Sequence, residues 1–311
     1  MSFSLYLKNK ISQKKINRSD LIAQLNLYHK EFNNLDAITF SRWITNKTTP
    51  SPYKQILISN YFNDDPVVFI KNNITIKKES KLVINLFDKV MNNIESSYSN
   101  ISYFHSNEEP EYIIDILNDD NYNDLFLDYY MNFSTYQELY NLYKIRNIKK
   151  NYICVMKKKN GVISSHISLM KLDENLSYLM SNFFNTEITS EFFINLGYIE
   201  DRESYLFMTA LVFYFFYKNS IRYFTCLIRS EFLEFLTTLP YKQIGTAYAD
   251  NDRKLYLIQA DFLDVLSNPF ILRNFNKVLS EHGNSLDHFF SADLIKASEE
   301  RNKLMQQNLQ I

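Results

Sequence analysis

One histidine of this 311-residue sequence has the surroundings that acid–base chemistry would need. His166 lies in the apolar run from Val162 to Met170, and β-strand alternation places its side chain on the same face as Ser164 and Ser168. An imidazole so placed could act as a general base toward a hydroxyl group. The sequence names no nucleophile paired with it, so the favoured interpretation is a structural histidine. No catalytic residue is therefore assigned.

Two further groups of polar side chains have the types that bind metal ions. His282 and His288 are accompanied by Glu281 and Asp287, but their spacing matches no common helical pair of zinc ligands and no cysteine is near. The acidic segment 119–124 lacks the glycine and the closing glutamate of a calcium loop. We interpret the first group as a polar loop and the second as the acidic start of a helix. We expect neither a metal site nor a cofactor.

Basic side chains concentrate at the amino end, although the formal net charge of the whole chain is only −1. Nine lysines and arginines against three carboxylates give residues 1–62 a net charge of +6, which leaves −7 on the remainder. Such an asymmetry predicts a polyanionic partner for the small basic segment. The alternative is a helical bundle used for protein contacts, with its charges merely solvated.

Composition excludes several classes of protein. The two cysteines, Cys154 and Cys226, lie in apolar runs and cannot form a disulfide framework, so we expect reduced thiols in a cytoplasmic protein. Lysines interrupt the first fifteen residues before a signal peptide could form. The longest apolar run, Leu206 to Tyr217, is shorter than the ~20 residues that span a bilayer. We therefore expect no membrane association.

Amphipathic spacing predicts four short helices and hence a compact helical domain over residues 1–64. Residues 65–100 follow as a connector. It contains a short strand-like run at 67–70 and a helix at 79–94 that is a candidate dimer interface. Two polar residues of the first domain stand at N-cap positions: Asn17 and Asp36.

Residues 101–270 are predicted to form an α+β domain. Asn160-Gly161 stands between two apolar runs and predicts a β-hairpin. Strands and helices then alternate, which is typical of a mixed sheet with flanking helices. We predict strands at 101–105, 152–156, 162–170, 191–196, 223–228 and 255–260, and helices at 204–217 and 231–236. Residues 271–311 are predicted to be a helical tail, of which 291–311 is a second candidate dimer interface.

A run near the amino end carries a family resemblance. Thr-Phe-Ser-Arg-Trp-Ile-Thr-Asn-Lys-Thr-Thr-Pro, which begins at Thr39, resembles the recognition helix and exit loop of the Xre-type, phage-repressor-like helix-turn-helix family. The resemblance covers residues 3–62 and implies an all-α DNA-binding domain. Arginine can bind guanine through two hydrogen bonds, and threonine can contact the thymine methyl group. The residues implied to contact double-stranded DNA are Arg18, Ala37, Thr39, Ser41, Arg42 and Lys47.

A second resemblance covers residues 100–268. The run Leu-Pro-Tyr-Lys-Gln-Ile-Gly from Leu239 to Gly245, with the order of elements, resembles the GNAT acyltransferase superfamily. That resemblance implies a glycine-bearing loop for the diphosphate of acyl-CoA, but the matching loop, 200–205, has no glycine and three carboxylates. The tyrosine general acid of the family falls at Leu236, which has no proton to donate. The resemblance thus implies an acyltransferase fold with its chemistry lost.

These inferences favour a cytoplasmic, homodimeric transcriptional regulator that binds specific DNA sequences. Its acyltransferase-like domain would serve ligand sensing or dimerisation, with a small-molecule effector as a candidate ligand. The alternative is an active GNAT-type acyltransferase that carries a DNA-targeting domain. The sequence leaves open whether the chain is an enzyme, and the missing catalytic groups favour a non-enzymatic role.

Overall fold

The structure, a computed structural model, describes residues 2–76, 78–99, 110–251 and 253–289. The predicted strand at 101–105 and the tail at 291–311 lie outside these ranges. The chain divides into two compact units: Met1–Glu79 with Leu266–Asn276, and Ser80–Val265 with the described residues from Lys277 onward. None of the described helices has the length and apolarity that crossing a membrane requires.

The amino-terminal part of the first unit is helical, because its short apolar segments are separated by polar caps. Asn17 accepts the N–H of Asp20 at 2.8 Å and Asp36 accepts the N–H of Thr39 at 2.6 Å, which confirms both predicted N-caps. The elements are α1 (Phe3–Lys14), α2 (Arg18–Tyr28), a 3-10 turn (Lys30–Phe32), α3 (Ala37–Ile44), α4 (Pro52–Tyr61) and α5 (Pro66–Asn73).

Residues 67–70, predicted as a strand-like run, belong instead to helix α5. Pro66 occupies its first turn, where a missing N–H costs nothing, and Asp65 caps it by accepting the N–H of Val68 at 3.0 Å. The capping signal therefore overrides the strand preference of the two valines. The helices of this unit do not by themselves establish a helix-turn-helix domain, which stays a prediction.

The second unit combines helices with a mixed β-sheet. It begins with α6 (Lys81–Ser99) and continues through β1 (Glu111–Asn118), α7 (Asp119–Tyr130), α8 (Ser134–Ile145), β2 (Asn151–Lys159), β3 (Val162–Lys171), α9 (Glu174–Phe183) and β4 (Phe192–Ile194). There follow α10 (Arg202–Lys218), β5 (Tyr223–Arg229), α11 (Ser230–Thr237), β6 (Lys242–Asp250), β7 (Arg253–Asp261) and α12 (Phe262–Ser267). The last described helix is α13 (Pro269–Phe289).

The seven described strands form one sheet in the order β1-β2-β3-β4-β5-β7-β6. All neighbours are antiparallel except β4 and β5, which are parallel. Asn160 and Gly161, with φ of 51° and 76°, form the turn between β2 and β3, so the predicted hairpin is confirmed. The predicted mixed sheet with flanking helices is confirmed as well.

Helices cover both faces of the sheet. Tyr152, Cys154 and Met156 of β2 belong to a buried cluster with aromatic side chains of α7 and α8. Lys157, which alternation places on the opposite face, contacts Asp201 at the start of α10. We call these the α7 face and the α10 face.

Residues 119 and 120 are the acidic first turn of α7, as predicted, and Asn118 caps it. Residues 281–289, predicted as a polar loop, are instead part of helix α13, and the ring of His282 packs edge-on against Phe207 at 5.1 Å.

The predicted helix at 79–94 is confirmed as α6, and its Phe87 packs against Tyr205 and Phe235. The homodimer stays a prediction.

Candidate active site

The parallel strands β4 and β5 diverge and open a cleft in the sheet. They pair only as far as Ile194 and Cys226, although β5 continues to Arg229 with β7 along its other edge. Beyond Ile194 the chain follows β3 instead, and Asn195 donates its N–H to the carbonyl oxygen of Ser168 at 3.0 Å. Among the described residues, no strand therefore pairs with the β4 edge of β5 beyond Cys226.

Gly197 makes that divergence sterically feasible. His166 and Tyr198 exchange two backbone hydrogen bonds, of 2.7 and 3.0 Å, which hold the chain after β4 against β3. A Cβ atom at position 197 would lie 2.9 Å from the carbonyl oxygen of His166. Real Cβ atoms do not approach backbone so closely, so only glycine fits here without a shift.

The cleft contains a cavity of about 130 Å³. Leu196 and Ile199 form one wall, Leu227 and Ile228 of β5 form the opposite wall, and Phe213 of α10 also contributes to the lining. Such a narrow apolar space favours an alkyl chain over a polar group, which would lose its hydrogen bonds to water there.

Two phenols also line this cavity, next to Leu236. They belong to Tyr205 of α10 and to Tyr241, which precedes β6. Burial raises the pKa of both hydroxyls well above the ordinary value, so both stay protonated at neutral pH. Leu236 itself supplies no proton, as the sequence indicates, but the cavity has two proton donors that the sequence analysis missed.

The only thiol in the cavity lining belongs to Cys226. Burial raises its pKa far above the ordinary value, because the charged thiolate would be desolvated there. A thiol that stays protonated is a poor nucleophile. Cys226 is therefore part of the wall.

Carboxylates and lysines fill the space at the amino end of α10. Lys157 Nζ lies 2.6 Å from Glu200 Oε1 and 2.7 Å from Asp201 Oδ2, and Lys159 Nζ lies 3.1 Å from Glu200. Asp201 also caps α10 by accepting the N–H of Ser204 at 2.7 Å. Burial alone would raise the pKa of Asp201, but hydrogen bonds from Lys157 and Ser204 outweigh it and lower the pKa to about 2.

Helix α6 supplies two more carboxylates at the same place. Glu95 Oε1 accepts the backbone N–H of Arg202 at 3.0 Å, and the guanidinium of Arg202 donates to Asp88 at 2.5 Å. Internal carboxylates thus occupy the helix amino terminus where an external phosphate would bind. A ligand in the cleft gains little from a diphosphate at this position.

On the α7 face, a network of buried polar side chains supports the chain beside the cleft. Tyr130 donates to the carbonyl oxygen of Leu196 at 3.0 Å, and its hydroxyl lies 3.1 Å from Ser168 Oγ. His166 Nε2 is 3.4 Å from that same hydroxyl, and burial lowers the pKa of His166 to about 3. Its neutral ring stacks on Phe126 at 4.4 Å. His166 therefore supports the cleft from behind, as the structural interpretation predicts.

The side chains predicted to contact DNA are brought together only in part. Arg18 is the first residue of α2, four others lie on the short helix α3, and Lys47 follows the turn at Asn46, whose φ is 58°. Most of them are solvent-exposed, and two are partly buried: Thr39 and Ser41. Contact of any of them with DNA stays a prediction.

No protein-family model and no curated protein matches this chain. Among solved structures, FeeM, an N-acyl amino acid synthase from uncultured soil microbes, is 11% identical, with a TM-score of 0.34, over 51% of this chain and 96% of that one. MesI, a CoA-dependent acyl-homoserine lactone synthase, is 13% identical, with a TM-score of 0.33, over 52% and 94%. BjaI, another such synthase, solved with SAM and isopentyl-CoA, is 13% identical, with a TM-score of 0.28, over 37% and 62%.

These structures are acyl synthases, and they overturn the prediction of an Xre-type, DNA-binding transcriptional regulator whose second domain has lost its chemistry. That prediction is wrong. At such identities and TM-scores the likenesses assign neither substrate nor mechanism to this chain.

Proposed function

We propose that the chain is an acyltransferase whose donor, an acyl thioester, binds between β4 and β5. One observation carries the proposal: the two parallel strands separate after Ile194 and enclose an apolar cavity in the middle of the sheet. The element order is also that on which the resemblance to the GNAT superfamily rests. The proposal gives the cleft a ligand that matches its narrow, apolar lining.

The site fits direct transfer from the thioester to an acceptor. Burial raises the pKa of the Cys226 thiol, which makes it a poor nucleophile and favours transfer without an acyl-enzyme. An acceptor nitrogen or oxygen attacks the thioester carbonyl, the new bond to carbon forms, and the carbon–sulfur bond breaks. The proton that the acceptor loses balances the proton that the leaving thiolate gains. Tyr205 or Tyr241 can hand a proton to the sulfur and recover one from solvent.

Because carboxylates occupy the amino end of α10, that end contributes little to binding of the donor. Glu95 and Asp201 hold the helix N–H groups that a diphosphate would need. We therefore expect the thioester arm to supply nearly all the binding free energy. An octanoyl thioester of N-acetylcysteamine, which has no phosphate, should react with a KM within about threefold of that of octanoyl-CoA.

The test is thiol release from both octanoyl thioesters by the full chain, measured with a disulfide dye while primary amines are supplied. Ile228→Trp places a large ring in the cavity mouth and should lower kcat/KM at least tenfold. Ile145→Trp, the same substitution at an exposed site on α8, is the matched control and should leave it unchanged. Absence of thiol release from either donor by the wild-type chain, or equal rates in both variants, would overturn the proposal.

A further inference from the structure

Two arginines lie on the α7 face where the strands diverge. Arg229 ends β5 opposite Leu255 of β7, and Arg253 stands two residues before Leu255. Strand alternation puts both arginines on the face of Leu227 and Leu255, which pack in the cluster with α7 and α8. Diagonal neighbours of this kind are about 7–8 Å apart, so the two cations flank one place on the sheet.

Arg229 has no carboxylate partner among the described residues. It is half-buried, its guanidinium lies over the ring of Phe232 at 5.9 Å, and it lines the cavity. By contrast, Arg202 is paired with Asp88, and Arg222 is paired with Asp261 at 2.9 Å. A half-buried guanidinium that stacks on an aromatic ring keeps its hydrogen-bonding edge available for an external anion.

Tyr129 of α7 connects the arginines to the cleft. Its hydroxyl donates to the carbonyl oxygen of Gly197 at 3.2 Å, and its ring packs against Tyr198 at 6.0 Å. Burial raises the pKa of Tyr129 to about 12, while the charges of Arg229 and Arg253 oppose the rise. The positive charges of Arg229 and Arg253 therefore reach the space beside Gly197.

The chemistry thus differs between the start of α10 and the end of β5. The α10 face offers an apolar wall for the donor, and its anion position is filled by Glu95. At the end of β5, Arg229 offers a guanidinium that forms no ion pair with the described residues. An acceptor that approaches from this side meets a cation close to the place where the strands separate, and a planar carboxylate matches the guanidinium through two parallel hydrogen bonds.

We infer that Arg229, with Arg253 beside it, binds a carboxylate of the acyl acceptor, so that the acceptor substrates are amines that carry a carboxylate group. The inference rests on the proposed acyl transfer for its meaning, but the anion site can be tested separately. It defines the acceptor side of the reaction.

The kinetic test uses octanoyl-N-acetylcysteamine with each L-amino acid and its carboxamide as a matched acceptor pair, with products measured by mass spectrometry. The acids should exceed the amides at least tenfold in kcat/KM. Arg229→Gln should raise KM for the acids about 10- to 100-fold, so that most of the preference for acids over amides is lost. Arg229→Lys should recover part of the loss, and Arg146→Gln, at an exposed site on another surface, should change nothing.

A second readout needs no turnover. Phenylglyoxal modifies accessible arginines, and peptide mapping should show Arg229 protected by L-amino acids but not by their amides. Protection without any acyl transfer would overturn the proposed function and leave the carboxylate site standing. Transfer at equal rates to acids and amides, or stronger protection by aminophosphonates than by amino acids, would overturn the inference.

Discussion

The carbonyl oxygen of His166 lies only 2.9 Å from where a Cβ atom on residue 197 would be. This contact between β3 and the chain after β4 draws that chain away from β5. The cleft therefore depends on a glycine at position 197, and its width is set by backbone packing.

Gly197→Ala tests this dependence. The added methyl group must push β3 and the chain after β4 apart, so we expect a loss of about 1–3 kcal/mol in the free energy of unfolding and a large loss of acyl transfer. Gly283→Ala is the control, since nothing lies within 4 Å of that Cβ position and the site is helical. It should gain up to about 1 kcal/mol. Urea unfolding measures both, and equal effects would contradict the packing argument.

Lys157→Met tests the buried ion pairs at the start of α10. Lys157 and Glu200 are both almost fully buried, so removal of the lysine leaves Glu200 with Lys159 and the Ser164 hydroxyl as its side-chain partners among the described residues. We expect a loss of about 3 kcal/mol, because a buried carboxylate that loses its buried partner is costly. Lys158→Met, at the neighbouring position that makes no ion pair with the described residues, should cost less than about 0.5 kcal/mol. Comparable losses in the two variants would show that the buried pairs contribute nothing.

Acid should weaken the same site. The pKa of Asp201 is lowered to about 2 in the folded chain from an ordinary value of 3.8, so the unfolded chain binds more protons between these values. The stability that Asp201 contributes is present above pH 4 and is lost as the pH falls toward 2. Asp201→Asn keeps a capping side chain but cannot titrate. Its unfolding free energy should therefore fall less steeply over that range, and identical slopes would refute the assignment.

His166 gives a pH dependence in a different range. Its pKa falls to about 3 on burial from an ordinary value of 6.5, so only the unfolded chain takes up this proton between those values. Stability should therefore drop by roughly 1.4 kcal/mol per pH unit below the ordinary pKa. In His166→Phe that contribution should disappear, whereas exposed His282→Gln should retain it. A wild-type slope in His166→Phe would show that His166 is not the group responsible.

Local signals in the sequence predicted the hairpin and two helix starts, whereas the divergence of β4 from β5 depends on long-range pairing. Asn160-Gly161 specifies the hairpin and Asp36 specifies a helix start, because each acts on its immediate neighbours. That β4 lies parallel to β5 and leaves it after three residues depends on a contact of Gly197 with a strand about thirty residues earlier. No local pattern reports such a contact.

The candidate site shows the same limit. The motif points to Leu236, which has no proton to donate, whereas Tyr205 reaches the same cavity from another helix. No sequence pattern predicts a binding role for Arg229. That role depends on the positions of Phe232 and Arg253 and on the absence of a paired carboxylate among the described residues. The phenol of Tyr241 was the one clue in the sequence, because it lies within the motif.

The most direct test of the central claim is a crystal structure of the full chain with a non-hydrolysable ketone analogue of octanoyl-pantetheine. The account predicts that the pantetheine arm lies between residues 195–199 and residues 227–229, with its acyl chain in the cavity lined by Tyr205 and Tyr241. An analogue bound elsewhere on the chain, or an unoccupied cleft at saturating analogue, would contradict it.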